Sequence, residues 1–206
     1  MLNRLLFYLL NTEINLEYVI KKDNLTRLGK RDYLLKYLDR QWIQHRHRNK
    51  KHGTKLPLSM ILWDIDGFRR FTSRYGYLYG DRILQNIGDV LNNFNRYPFN
   101  FIARVAGDEF LIVLPATSLD SAVKTAKEIQ SSLKLHSISQ VAVENENIIN
   151  GYYQKNFARS LTLSYGVVSS IPNEQNNARS LIEKAEDCTM ASKQIQGGDY
   201  ITCRTI

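Results

Sequence analysis

The sequence predicts an α+β domain of the ferredoxin-like or palm type, in which a mainly antiparallel sheet is flanked by helices packed on one face. The chain has 206 residues, of which 43% are hydrophobic and 23% charged, as in an ordinary globular domain. Short apolar runs bounded by turn residues alternate with longer segments of helical periodicity. Their order in the middle of the chain is strand, helix, strand, turn, strand, helix, strand.

The N-terminal segment, residues 1–22, predicts a helix that precedes a domain formed by residues 23–206. With fewer than three heptads, a dimerising coiled coil and an amphipathic helix packed on its own domain are equally supported. The apolar residues at the a and d positions of the heptad are Leu2, Leu5, Leu9, Leu16 and Val19.

Two features of the sequence bear on the location of the protein. The longest apolar run near the N-terminus, Leu5 to Leu10, is far too short to span a bilayer, so we expect no membrane insertion. The two cysteines, Cys188 and Cys203, are too few for a disulfide framework and lack metal-ligand spacing. A reducing, cytoplasmic location is the simplest interpretation.

Positive charge is concentrated in one segment. The formal net charge is +8, and residues 21–55 hold 12 of the 28 Lys and Arg but only three acids. The remainder, with 16 basic and 17 acidic residues, has a net charge of −1. Because basicity is local, the charge does not indicate a fold that binds DNA or RNA.

Within this basic segment, residues 30–43 predict a helix that Asp23 or Thr26 could cap. The polar stretch from His45 to Lys55 predicts a solvated loop, with contact to an acidic partner as the alternative. Its three histidines have no carboxylate or cysteine to complete a metal site, so we expect none there.

The rest of the chain supplies the predicted sheet and its helices. Leu58 to Ile65 is a strongly apolar run and predicts a buried strand that ends in acid. The turn from Ala106 to Glu109 predicts a hairpin, with Gly107 providing the turn geometry. The other expected elements are a helix over 79–94, strands over 101–105 and 110–114, a helix over 118–135, a loop or loose hairpin over 136–157, a strand over 161–169, a helix over 178–196 stopped by Gly197 and Gly198, and a strand over 200–203.

Two pairs of acids lie at strand ends that this topology brings together. Asp64 and Asp66 end the first core strand, and Asp108 and Glu109 lie at the hairpin tip, while the Ile65 carbonyl remains available as a ligand. Carboxylates that share a cleft are held ionised most readily by divalent cations, and oxygen ligands favour magnesium or manganese. Two such ions can activate a 3′-hydroxyl and bind a triphosphate. The alternative is that these acids are solvated strand-end residues.

The residues after Asp66 are suited to nucleotide binding. The glycine turn at Gly67 exposes backbone N–H groups that can bind phosphate, and Arg69 or Arg70 adds positive charge. Asp81 begins a predicted helix, either as its N-cap or as an acceptor for the two N–H donors of guanine. Nearby tyrosines either stack on a base or pack against the domain.

Six segments in the same order resemble the motifs of the GGDEF family, the diguanylate cyclases, over about residues 23–203. Together they are specific for that fold. The segments are Asp23 to Leu28 for D-x-L-T-G-L, Asp64 to Arg69 for D-x-D-x-F-K, Gly76 to Asp81 for G-H-x-x-G-D, Ala106 to Phe110 for the signature with alanine as its first residue, Leu161 to Val167 for T-x-S-x-G, and Ala185 to Lys193 for A-D-x-A-L-Y-x-A-K.

The resemblance implies condensation of two GTP molecules into cyclic di-GMP, with release of diphosphate, by a magnesium- or manganese-dependent homodimer that holds one GTP per subunit. It implies that Asp64, the Ile65 carbonyl and Asp108 bind the metal, and that Asp108 is the base. The other implied positions are Glu109 as the second signature acid, Arg69 in place of the family's lysine near the triphosphate, Phe68, Thr72, Tyr77 and Asp81 at the substrate, and Lys193 at a phosphate.

The departures from the family pattern lie mostly around the nucleotide. Thr72 replaces the guanine-reading asparagine and Tyr77 replaces the histidine. Ala106 replaces a glycine, which is tolerable if its φ is negative. The phosphate-binding arginine after Lys193 is missing, and the product-inhibition motif R-x-x-D is absent from residues 97–100.

Three functions are therefore open at the level of sequence. The first is a working diguanylate cyclase. The second is a non-catalytic module that binds GTP or a protein partner in signalling. The third is a related palm-type nucleotidyl cyclase that uses another nucleotide. The sequence contains no sensory domain, so an input signal would enter through the N-terminal helix or from an upstream sensor or partner protein.

Overall fold

The computed structural model describes residues 22–96, 99–143, 161–195 and 198–206. The predicted N-terminal helix lies almost entirely outside these residues and stays a prediction. No helix in the described ranges has both the length and the apolar character needed to cross a membrane. The elements are β1 (Gly29–Lys30), α1 (Arg31–His52), β2 (Leu58–Ile65), α2 (Phe68–Tyr75), α3 (Tyr77–Asn92), β3 (Phe101–Ala106), β4 (Glu109–Pro115), α4 (Leu119–Val143), β5 (Leu163–Ser170), α5 (Ala178–Lys193) and β6 (Ile201–Thr205).

The strands form one sheet in the order β1-β3-β4-β2-β5-β6. The central strand β2 is antiparallel to both of its neighbours, β4 and β5. β3 and β4 form the predicted hairpin, while the edge strands β1 and β6 pair in parallel with β3 and β5. The predicted fold class, with its mainly antiparallel sheet, is confirmed.

Helices cover both faces of the sheet, which corrects the expectation that they pack on one. Ile61 and Trp63 of β2 pack beneath α2, α3 and α4, whereas Met60 and Leu62 pack beneath α1 and α5. Successive side chains of a strand point to opposite faces, so each face of β2 needs its own cover. All eight β2 residues are buried. This explains why the strand has an almost continuous apolar sequence rather than an alternating one.

The first helix is longer than its sequence pattern indicates. The stretch from His45, predicted as a solvated loop, continues α1 as far as His52. His45 is buried, its Nδ1–H donates to the Gln41 carbonyl at 2.9 Å, and its Nε2 accepts the Ala116 N–H at 3.1 Å. Burial lowers the pKa of His45, which favours the neutral ring that these two bonds require.

Three other helices have boundaries that differ from the prediction. α3 begins at Tyr77 and ends at Asn92, two residues earlier than expected at each end. α4 continues to Val143, so residues 136–143 are helical and not a loop, while residues 144–157 lie outside the described ranges. α5 ends at Lys193, before the glycine pair that was expected to stop it.

The D-x-L-T segment forms a turn that is tied to the hairpin. The Asp23 carboxylate accepts the N–H and the hydroxyl of Thr26, both at 2.9 Å, and lies 3.4 Å from Arg104 Nη1. Although partial burial acts in the opposite direction, these contacts lower the pKa of Asp23. Neither Asp23 nor Thr26 caps α1, whose N-cap is Lys30, so that expectation was wrong.

Arg27, in the same turn, stands where the motif has glycine and has a φ of 60°. An L-residue in this left-handed region is strained by contact of its Cβ with the backbone, at about 1 kcal/mol. The Arg27 side chain is exposed, and its backbone N–H donates to the Asp23 carbonyl at 2.9 Å. The turn is therefore held by backbone bonds against an unfavourable side chain.

We predict that Arg27→Gly raises the free energy of unfolding by about 1 kcal/mol, because glycine relieves the strain at positive φ. Urea denaturation of both proteins measures the difference. Arg27→Ala is the matched control, since it removes the guanidinium but keeps the Cβ, and it should leave stability nearly unchanged. Equal stabilisation by alanine and glycine would show that the charge, and not the backbone, is the cause.

Candidate active site

The register of the central strands places Asp64 beside the signature hairpin. Asp64 is paired directly with Glu109 of β4 and with Ser164 of β5. Asp108 lies in the turn immediately before β4, close enough for its charge to act on Asp64. The structure thus brings together the strand end and the hairpin tip that carry the two predicted acid pairs.

A lysine of α5 reaches this group of acids. Lys193, the last residue of α5, places its Nζ 2.7 Å from Oδ2 of Asp64. The Asp64 side chain is 11% exposed and that of Lys193 is 41% exposed. Asp64 is therefore not one of the solvated strand-end acids of the alternative interpretation.

Burial has the largest effect on the pKa values of Asp64 and Asp108. Burial raises the pKa of Asp64; the ion pair with Lys193 opposes this shift and the charge of Asp108 adds to it. Burial also raises the pKa of Asp108, against the effect of Lys193 and with that of Glu109. Lys193 and Arg104 both lower the pKa of Asp108 without cancelling its rise, so the ionised site favours a further cation.

The backbone supplies a third oxygen that suits a divalent cation. The Asp66 N–H donates to the Thr162 carbonyl at 2.9 Å, which makes Ile65 and Leu163 a non-hydrogen-bonded pair. The Ile65 carbonyl therefore points away from β5, toward the side where the β2–β4 ladder has ended at Asp64. No three His, Cys, Asp or Glu side chains in the described ranges converge as a metal site. A donor set of two carboxylates and one carbonyl nevertheless fits magnesium or manganese, which keep several waters.

The second acid of the D-x-D motif has a different role. Both carboxylate oxygens of Asp66 accept hydroxyl hydrogen bonds, Oδ2 from Thr162 at 2.6 Å and Oδ1 from Ser164 at 2.7 Å. Together with its backbone bond to Thr162, these contacts fasten the end of β2 to the beginning of β5. We call these three residues the Asp66 clamp. It leaves no carboxylate oxygen of Asp66 without a partner.

Glu109 is on the site's border rather than in the donor set. Its side chain lines a cavity of about 270 Å³ between the hairpin, α1 and α5, with Arg31 and Glu186 also in the lining. The floor of this cavity is apolar and includes Leu34, Leu62 and Leu111. Because Glu109 lies directly opposite Asp64 in the sheet, its negative charge adds to the electrostatic repulsion at Asp64.

The backbone conformation of the hairpin turn tolerates the alanine that begins the signature. Ala106 does not have a positive φ, so its Cβ causes no strain. Gly107 has no positive φ either, which corrects the expectation that it provides the turn geometry. Its carbonyl accepts from Arg104 Nε at 2.8 Å, and an added Cβ would meet nothing within 4 Å. The glycine therefore leaves open space at the hairpin tip.

The helical pair after β2 is held together around Gly80. A Cβ at Gly80 would lie 2.6 Å from Thr72 Cγ2 and 3.1 Å from the Phe68 ring, so only glycine allows this approach of α3 to α2. Thr72 is buried, and its hydroxyl donates to the Arg69 carbonyl at 3.1 Å. The hydroxyl proton is thus used within the helix, and an incoming base would meet an acceptor only.

The remaining predicted substrate residues are exposed on these two helices. Arg69 is on α2, and Tyr77, with 80% of its surface exposed, begins α3. Asp81 is also exposed; it is the fifth residue of α3, whose N-cap is Gly76, so its predicted N-cap role was wrong. No hydrogen bond or ion pair within the described residues joins these three side chains to the acids at the end of β2.

Sequence reasoning missed the partners of the acids. The T-x-S motif at Thr162 and Ser164 was matched to the family without a role, although alternate hydroxyls on one face of a strand are a recognisable signal. Arg104, which joins the turn at Gly107 to Asp23, was not singled out either. Its position two residues before the signature would have been the only cue.

Comparisons with known proteins agree with this geometry. The family model described as diguanylate cyclase, GGDEF domain, matches residues 20–198. Diguanylate cyclase A of Treponema denticola is 29% identical over 173 residues, which are 84% of this chain and 41% of that protein. The chain thus spans about two fifths of that relative's length.

Two solved structures share the fold. One is the coiled coil and GGDEF domain of DgcB from Caulobacter crescentus in complex with c-di-GMP, with a TM-score of 0.64, 22% identity, and coverage of 98% of this chain and 95% of that one. The other is the diguanylate cyclase SiaD from Pseudomonas aeruginosa in complex with its activator SiaC, with a TM-score of 0.71, 21% identity, and coverage of 98% and 68%. The match of the family model over most of the chain shows that this protein belongs to the GGDEF family of diguanylate cyclases.

Proposed function

We propose that this chain is a diguanylate cyclase that condenses two GTP molecules into cyclic di-GMP. In each of two steps a 3′-hydroxyl oxygen bonds to the α-phosphorus of the other nucleotide, a diphosphate leaves, and a proton is lost. The observation that carries the proposal is the buried Asp64 beside Asp108, with Lys193 Nζ 2.7 Å from Asp64. Such a charged cluster at a strand end is costly to fold unless it binds something.

Asp64, Asp108 and the Ile65 carbonyl are the residues that would hold magnesium or manganese. When bound, the cation supplies positive charge that stabilises phosphate oxygens and favours ionisation of a hydroxyl. Asp108, at the hairpin tip, is the proposed acceptor of the proton of the 3′-hydroxyl. Lys193, which is partly exposed, exchanges Asp64 for a phosphate oxygen when the nucleotide enters.

The open tip of the hairpin and the two helices after β2 would hold the rest of the nucleotide. Gly107 gives the phosphates access to the backbone, and exposed Arg69 contributes charge to the triphosphate. Asp81 accepts the N–H donors of guanine, while Tyr77 and the half-buried Phe68 border the base. Glu109 completes the catalytic set with Asp108 and Arg69, as the second signature acid.

The proposed reaction requires a homodimer, because each subunit holds one of the two nucleotides. The heptad positions of residues 1–22 are the proposed contact, which agrees with the coiled coil named in the DgcB structure. A partner protein is a reasonable input, since the SiaD structure contains an activator. Use of GTP is also consistent with the proposed cytoplasmic location.

A non-catalytic module that binds GTP is the second candidate, and one observation favours it. The Thr72 hydroxyl is already committed to the Arg69 carbonyl, so the base site lacks a side-chain donor at that position. A module that binds GTP weakly and signals by docking would tolerate this loss. It would have no need of the acids, however, which is why we rank it second.

We predict that the protein with magnesium converts GTP to cyclic di-GMP, and that Asp64→Asn and Asp108→Asn each lower the rate roughly 100-fold or more. Chromatography after incubation with each of the four nucleoside triphosphates identifies substrate and product. Because asparagine avoids burying a charge, both variants should stay folded, within about 1 kcal/mol of the native stability. Full activity in both folded variants would refute the metal-site assignment, and another cyclic product would refute the substrate.

Base selectivity gives a second prediction. Thr72→Asn should raise the ratio of kcat/KM for GTP over that for ATP roughly fivefold, because an amide offers guanine the donor that the committed hydroxyl lacks, at about 1 kcal/mol. Asp81 keeps the native protein guanine-selective, since adenine has no N1–H. Thr72→Val is the control: it keeps the shape and removes the hydroxyl without adding a donor, so it should not raise the ratio. If asparagine changes neither affinity nor ratio, Thr72 is not at the base.

The Asp66 clamp gives a third prediction, in which Asp66 is a positioning residue for the metal ligands. Asp66→Ala should weaken Mn²⁺ binding, followed by electron paramagnetic resonance without nucleotide, about 10-fold or more. Asp66→Asn keeps a hydrogen bond to each hydroxyl and should retain most of the affinity. Native Mn²⁺ affinity in a folded Asp66→Ala protein would limit the clamp to stability alone.

A further inference from the structure

The end of the domain opposite the candidate active site is strongly basic. β2 runs from Leu58, near the end of α1, to the acids at its other end. Residues 46–55 contain five Lys and Arg and no acid, and all five side chains are exposed. We call this stretch the basic pole. Cations near a helix C-terminus interact favourably with the helix dipole, but only those in the last turn contribute much. The dipole therefore does not explain the presence of all five basic residues.

A groove of about 490 Å³ runs between the basic pole and the loop that follows β5. One wall includes Arg46, Asn49 and Lys50, and the other is formed by residues 171–175. Glu174 is the one acid in this lining, and its Oε1 lies 2.6 Å from Lys50 Nζ. Both side chains are more than 70% exposed, so water screens the pair and another carboxylate can replace Glu174.

Both walls of the groove are held in place by asparagine side chains. Asn49 Nδ2 donates to the carbonyls of Leu56 and Pro172, at 3.1 and 3.3 Å, and its Oδ1 accepts the Leu56 N–H at 2.8 Å. In the opposite loop, Asn173 and Asn176 form a network that includes the Asn173 N–H, which donates to Asn176 Oδ1 at 2.9 Å. A ligand would therefore bind walls that are already ordered, which lowers the entropic cost of binding.

We propose that this groove binds an extended segment of a partner protein with an acidic, apolar, acidic pattern. Arg46 and Lys50 are one helical turn apart, with about 5–6 Å between such Cβ positions. Alternate side chains of an extended chain lie on one side, about 6.7 Å apart. Two carboxylates so spaced can meet both cations at once. The side chain between them then faces the opposite wall, where Ile171 is 37% exposed beside Pro172.

The shape of the surface favours a peptide over a lipid surface or a nucleic acid. A flat anionic surface would contact outward cations such as Arg48 and Lys51, which do not line the groove, as readily as Arg46 and Lys50. Only a narrow chain can enter between the walls and use the apolar side as well. Because the groove lies at the far end of β2, such a partner would not block nucleotide entry, and the proposal does not depend on cyclase activity.

The probe is a fluorescein-labelled peptide with the sequence Gly-Ser-Glu-Leu-Glu-Leu-Ser-Gly, and its binding is followed by fluorescence anisotropy without nucleotide. The same peptide with glutamine for glutamate should bind about 10-fold more weakly or worse. The variant Arg46→Ala/Lys50→Ala should also lose about 10-fold or more. Arg48→Ala/Lys51→Ala removes the same charge from the same pole outside the groove, and should lose less than about threefold. Thermal denaturation checks that both exposed double variants stay folded.

Each outcome decides the proposal. A larger loss of peptide affinity in Arg46→Ala/Lys50→Ala than in Arg48→Ala/Lys51→Ala supports a peptide groove. Equal losses from both pairs would mean diffuse attraction and would overturn it. It is also overturned if the acidic peptide does not bind, or if vesicles with 30% phosphatidylserine or a 12-nucleotide single strand bind more tightly than the peptide. Cyclase activity of Arg46→Ala/Lys50→Ala should equal that of the native protein, because neither residue is near the acids.

Discussion

Trp63 fixes the register on which the acidic site depends. It is buried on the face of the sheet that α2, α3 and α4 cover. Its ring is stacked on Phe110 of β4 and Tyr165 of β5, with ring centroids 6.0 and 6.1 Å away. A slip of β2 by one residue would move this indole into the layer of α1 and α5 and turn the next side chain, Asp64, into the apolar core. The favourable packing of one aromatic residue thus decides where a carboxylate is exposed to the hairpin tip.

The same arrangement explains how so much negative charge is tolerated. α5 must lie close to β5 for Lys193 to reach Asp64, and Gly166 permits this, because a Cβ there would be 2.3 Å from the Ala185 carbonyl. Ser192 of α5 secures the contact, because its hydroxyl donates to the Tyr165 carbonyl of β5 at 2.7 Å. A glycine in the middle of a strand, which is unfavourable for the strand itself, therefore determines the charge balance of the site.

Much of this could be predicted from the sequence, because β2 and its neighbours are short apolar runs with unambiguous turns, and the acids follow them directly. The end of α1 could not, since only His45 in its last two turns is buried and the exposed cations look like a loop. The placement of α1 and α5 on the second face was missed for a related reason, because a fully apolar strand does not reveal how many layers cover it. The different roles of Asp64 and Asp66 depend on partners far away in the chain, Lys193 for Asp64 and Thr162 for Asp66.

The departures from the family motifs have unequal physical consequences, and this bears on function. Ala106 costs nothing, because its φ is not positive, whereas Arg27 is strained in a turn that Asp23 and Arg104 join to the hairpin. Thr72, at the proposed base site, opens no cavity, since its methyl group lies against Gly80. None of these substitutions alters the charges of the acids or of Lys193. These three substitutions therefore lie outside the group of charges on which the proposed phosphate chemistry depends.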